Sequence, residues 1–73
     1  MFELDFFDKK TEVLLEEYTL TTLTPEDVHR IFGFHLEGNC ADVDLEQLAQ
    51  IERIVGKSFN SEGKNIFICE TQG

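Results

Sequence analysis

Asp44-Leu45-Glu46-Gln47-Leu48-Ala49-Gln50-Ile51-Glu52-Arg53-Ile54-Val55-Gly56 is the stretch whose reading decides the fold. Leu45, Leu48, Ile51, Ile54 and Val55 recur at steps of three and four, which sets them on one stripe of a 3.6-residue turn. Glu46, Gln50 and Arg53 fall on the other side. Asp44 is suited to cap the first free amides, and Gln47, three residues on, can return the bond as a capping box. Val43 and Leu48 can close the hydrophobic staple, and Gly56 stands where a left-handed residue ends a helix. This is an amphipathic helix, and the rest of the chain has to cover its apolar face.

Working outward, Leu23-Thr24-Pro25-Glu26-Asp27-Val28 repeats the punctuation. Thr24 is the cap, Pro25 takes the first helical position, acids fill the first turn and Leu23 staples to Val28. Val28, Ile31 and Phe32 form the apolar face of this short helix, and Gly33 stops it. Phe34 to Asp42 has no sustained period and contains Gly38-Asn39, so it is expected to be the loop between the helices. At the beginning, Phe2, Leu4 and Phe6 alternate with Glu3 and Asp5, the pattern of a half-buried strand over Phe2 to Phe7. Asp8-Lys9-Lys10-Thr11 is a turn, and Glu12 to Leu20 returns as the second strand of a hairpin. Its alternation slips around Leu14 and Leu15, which calls for a bulge or for cover on both faces. Asn65-Ile66-Phe67-Ile68-Cys69-Glu70 is a compact apolar strand, apolar on both sides and so central or at an interface. Residues 71–73 are expected to fray.

The order is β-β-α-α-β. Helices and strands segregate, so the expected fold is α+β: a three-stranded, mainly antiparallel sheet with both helices packed on one face. No repeat or linker divides the chain, and residues 1–73 read as a single domain.

A chain of 73 residues buries only about 60% of its unfolded surface. A deep substrate cavity is hard to carry at that size, and the seven Phe are most simply core. Six Lys and Arg stand against 15 Asp and Glu, a net charge of -9. Such a field repels nucleic acid and anionic membrane and attracts basic partners. No run reaches the ~20 apolar residues of a membrane span, and Met1-Phe2-Glu3-Leu4-Asp5 lacks the order of a signal peptide, so a cytoplasmic location is expected. Two cysteines without close spacing make neither a disulfide framework nor a zinc site, and both Cys40 and Cys69 are expected reduced.

Chemistry-bearing patterns are scarce. His29, His35 and Cys40 match no zinc spacing and are most simply surface groups. Asp42, Asp44 and Glu46 alternate like a calcium loop but lack its Gly and its final Glu. Cys40 with His35 makes a paper dyad without an orienting third group, and the scattered glycines build no phosphate loop. No enzyme activity and no cofactor are expected. What remains is charge: from Leu36 to Glu52 there is no Lys or Arg. Glu37, Asp42, Asp44 and Glu46 then form either a solvated acidic face or a docking patch for a basic cleft, with Phe34 and His35 as semi-buried contacts. Glu16 and Glu17 on the hairpin are a second patch.

Tyr18-x-Leu20, Leu23-x-x-Glu26-Asp27-Val28-x-x-Ile31-Phe32-Gly33, Asp42-x-Asp44 with Leu48, Ile51 and Gly56, then Phe59 and the closing strand, resemble small bacterial domains similar to immunity proteins of contact-dependent growth inhibition and other polymorphic toxin systems. The likeness rests on hydrophobic and capping positions and carries no catalytic residues. It implies a cytosolic antidote that binds a cognate toxin domain, a nuclease with a basic cleft more readily than a pore former, as a monomer in a 1:1 complex. Two other readings stand beside it. One is a structural or regulatory module that homodimerises through an edge strand, Asn65 to Glu70. The other is a mimic of nucleic-acid phosphates aimed at a DNA-binding protein.

Overall fold

The computed structural model describes residues 1–72. Six elements follow one another: β1 (Phe2–Asp8), β2 (Leu14–Leu20), α1 (Pro25–Phe32), β3 (Cys40–Asp42), α2 (Leu45–Val55) and β4 (Lys64–Glu70). The fold is α+β, and its sheet has four strands in the order β2-β1-β4-β3, every neighbouring pair antiparallel. The expectation of three strands is corrected by β3. Its Cys40-Ala41-Asp42 lies inside the segment read as an inter-helix loop, and three residues are too few to print a period. Pairing with β4 makes it a strand, Cys40 opposite Cys69, Ala41 opposite Ile68 and Asp42 opposite Phe67.

Both helices start and stop as their sequences require. Thr24 accepts from the Asp27 amide while Asp27 accepts from the Thr24 amide. Asp44 and Gln47 exchange the same two bonds. Gly33 and Gly56 close the helices in left-handed conformation, at φ 85° and 71°.

The hairpin turn is built by Asp8, whose carboxylate accepts from the amides of Lys10 and Thr11. Beyond it the ladder slips between Phe6 and Phe7, so that Phe6 faces Glu16 and Phe7 faces Leu14, leaving Leu15 as the extra residue of a bulge. β4 is central, with β1 on one side and β3 on the other. Neither of its edges is free to pair with a further strand. Thr71, expected to fray, donates through its amide to the Met1 carbonyl at 2.7 Å, and Gly73 lies outside the described residues.

A single core cluster forms where β1, β2 and β4 meet the helices. Phe2, Leu4, Phe6, Leu20, Ile66 and Ile68 from the sheet join Val28 of α1 and Leu48 and Ile51 of α2. These strand residues alternate, so both helices cover the same face. Only part of the expected helical stripe is used: Leu45 is 69% exposed and Ile54 36%. Val55 packs against the margin of the core in their place. The other face of the sheet carries no helix.

Candidate functional site

The uncovered face is set by the residues that alternate with the core. Across the four strands, Glu17, Asp5, Phe67 and Asp42 stand directly opposite one another in one row. Thr19, Glu3, Cys69 and Cys40 form the next. Directly opposed residues on one sheet face are in side-chain contact range. The acidic end of the two rows gathers Glu3, Asp5 and Glu17, each with a carboxylate oxygen within 4.8 Å of the others. The other end is apolar. Phe7 and Phe67 meet edge to face with centroids 5.6 Å apart, and Asp5, Phe7, Cys40, Phe67 and Cys69 line a shallow hollow of about 260 Å³.

A carboxylate set beside another of the same charge holds its proton more tightly. Glu3 is held above the ordinary carboxylate range, first by hydrogen bonding with the Asp5 carboxyl, then by burial and the Asp5 charge, with hydrogen bonding to Glu17 acting in the opposite sense. Asp5 Oδ1 is out of contact with solvent and has no hydrogen-bond partner. Among the described residues the ion pairs are Arg30–Asp27 on α1 and Lys64–Glu16 on the helix side of the sheet. The acidic end therefore has no cation of its own.

Cys40 and Cys69 form a disulfide, which corrects the expectation of two thiols. The pairing follows from β3: once that strand is docked, two cysteines 29 residues apart become direct cross-strand partners with Cα atoms 4.0 Å apart. Cys69 Sγ also touches Asp5 Oδ2 at 3.7 Å, so the sulfur pair lies between the apolar hollow and the carboxylates.

The residues singled out from sequence do not stay together. Asp42 and Glu17 both lie on the open face, in the same row. Asp44 is occupied as the α2 cap, accepting from the Gln47 amide at 2.7 Å. Glu16 leaves the hairpin patch, because it points to the helix side, where it pairs with Lys64 and accepts from the Tyr18 hydroxyl. Those bonds hold Glu16 below the ordinary carboxylate range, the Lys64 bond first, and raise Tyr18. Glu37 sits at φ 53° in the turn before β3, and Glu46 is exposed in the first turn of α2. Phe34 is 49% exposed and packs on Phe32, while His35 stacks on His29 with ring centroids 4.5 Å apart. The two histidines stack face to face, and Cys40 is on the sheet and bonded to Cys69, so the three do not gather as a ligand set.

Glu3 and Asp5 were missed as site residues. They were read as the solvent side of a strand, and the alternation that identifies that side is the signal that could have found them. Only the chain order β2-β1-β4, which places Glu17 on one flank and Phe67 on the other, turns two solvated acids into a cluster.

This architecture defines a small, acidic α+β domain with helices on one sheet face and a mixed acidic and apolar surface on the other. Residues 1–69 match the family model described as "Domain of unknown function (DUF7683)", and the chain belongs to that family. No curated protein and no solved structure matches it. No helix of the described residues is long and apolar enough to cross a membrane.

Proposed function

We propose that this domain is a protein-binding inhibitor, an immunity protein that neutralises a cognate bacterial toxin domain by seating its acidic surface in a basic cleft. The observation that carries the reading is uncompensated negative charge gathered on one side. Glu3, Asp5, Glu17 and Asp42 share the open sheet face with no Lys or Arg paired to them, in a chain of net charge -9. Glu37, in the turn before β3, and Glu46, in the first turn of α2, are further exposed acids. Phe34 and His35 offer exposed ring surface. A charged rim of this kind steers encounter, and the apolar patches supply the desolvated contact that charge alone does not. A nuclease cleft built to bind phosphates is the matching surface.

The reading places the chain in the cytosol, where a nuclease meets its substrate. It requires no catalysis by this chain, no cofactor and no direct contact with nucleic acid. The complex is 1:1 with a monomer.

The test is co-expression with the toxin domain encoded beside it, followed by stopped-flow association of the purified pair. Protection of the cells, and an on-rate that falls steeply between low and physiological salt, are the expected results. Cells that die despite expression of a folded domain would sink the immunity reading. An association rate indifferent to salt would remove the charge argument.

A further inference from the structure

We propose that the open sheet face recognises an arginine or lysine of a protein partner, seated among Glu3, Asp5 and Glu17, while an apolar residue next to it on the same partner segment packs on Phe7 and Phe67. This rests on the reading above, that the domain works by adhering to a cationic macromolecule, and names the part of the surface and the partner chemistry that do it.

Three observations converge on that occupant. The first is the carboxylate cluster, with one oxygen of each acid within 4.8 Å of the others and no cation paired to it. Like charges at that range destabilise one another, and a guanidinium, planar and with five donors, satisfies two or three carboxylate oxygens at once. The second is Asp5 Oδ1, an acceptor removed from water with no donor. Buried acceptors in folded proteins are almost always bonded, which leaves the Asp5 carboxylate under-satisfied beside the cluster. The third is the apolar hollow that shares Asp5 as a wall and continues over Phe7, Phe67 and the Cys40–Cys69 pair. A charge-binding corner beside a half-buried aromatic pair has the composition of an interface centre, where arginine and apolar anchors are enriched.

The spacing fixes the form of the segment. Asp5 and Phe67 are direct cross-strand partners, so the charged corner and the aromatic surface lie about 5 Å apart. Residues i and i+4 of a partner helix, about 5–6 Å apart, match that separation. Residues i and i+2 of a partner strand, about 7 Å apart, do so less closely.

The experiment is a nuclear magnetic resonance titration of the isotopically labelled chain at low salt. Four probes are used: helical peptides carrying Arg and Leu four residues apart, the same peptides with Gln for Arg, the same with Ala for Leu, and calcium chloride alone. The Arg-Leu peptide is expected to move the amide signals of Glu3, Asp5, Glu17 and Phe67 and to lower the titration midpoint of the Glu3 carboxyl. The Gln and Ala versions should bind at least about tenfold more weakly, as should the Arg-Leu peptide to the Glu3→Gln, Asp5→Asn double variant. Glu17→Gln, at an exposed position, gives the same reading where the double variant fails to keep the core signals in place.

Equal binding of the Gln peptide overturns the charged half of the proposal, and equal binding of the Ala peptide overturns the apolar half. Signals that move at Glu37 and Glu46 alone overturn this site while leaving acidic docking intact. Calcium acting at lower concentration than the Arg-Leu peptide makes the cluster a cation site and overturns the proposal. Silence toward every peptide does so too. The protection experiment above judges the immunity reading independently, since a domain that protects cells but ignores these peptides fails here only.

Discussion

An acid in this chain stabilises or destabilises according to what faces it. Asp8 and Asp27 are both held below the ordinary carboxylate range, Asp8 by the Thr11 and Lys10 amides and Asp27 by the Thr24 amide and hydroxyl and then by Arg30. A carboxyl lowered in the folded state adds stability above its unfolded value, and that stability is lost as pH falls through the folded one. Glu3 has the opposite sign: raised on folding, it favours the native state below its unfolded value, and the contribution is lost as pH rises through its folded value. Glu3→Gln should therefore be more stable than the parent at pH 7, with the difference vanishing on acidification to about pH 3, as measured by denaturant midpoints. A variant no more stable at neutral pH would mean that the three carboxylates do not repel. Asp44 is spent on local structure. Asp44→Ala should cost about 1 kcal/mol of unfolding free energy, through lost capping of α2.

Elements differed in how plainly the sequence declared them. The two helices were legible because each end carries its own chemistry: Thr24 and Asp44 as caps, Pro25 at the first position, Gly33 and Gly56 as stops. β1 and β4 were legible from Phe2, Leu4 and Phe6 and from Ile66 and Ile68, and the slipped alternation of β2 is the bulge at Leu15. β3 was not legible, because a three-residue strand is defined by its partner and not by its own pattern. The cost of missing it was large, since β3 creates the Cys40–Cys69 pair and brings Asp42 into the row with Phe67. The candidate face was half legible for the same reason: Glu17 and Asp42 stood out as acids, while Glu3 and Asp5 gained meaning only from the strand order. The cross-link joins residues 29 apart in sequence, which in the chain-entropy account corresponds to about 3–4 kcal/mol. A Cys40→Ser, Cys69→Ser variant should lose up to that amount relative to the oxidised chain, and the oxidised chain with excess reductant should lose as much. A denaturant midpoint unmoved by reductant would show that the pair is not bonded in solution.

For the whole molecule, a charge of -9 on 73 residues works against compaction. Added monovalent salt should raise the thermal midpoint between about 10 and 200 mM, because the dominant charge interaction is repulsion and the screening length shrinks over that range. A midpoint that drops with salt would mean that the attractive pairs Lys64–Glu16 and Arg30–Asp27 outweigh it. The middle strand has a consequence of its own. β4 comes last among the described strands and joins the β1–β2 hairpin to the β3 edge, with residues as distant as Met1 and Thr71 bonded beside it. Until residues 64–70 arrive, the core lacks Ile66 and Ile68 and β3 has no strand to pair with. Assembly must then wait on the pairing of β1 with β4, segments far apart in sequence, the kind of ordering that slows folding. A nascent copy would stay open to proteases and chaperones until residues 64–70 have emerged, then close in a single step.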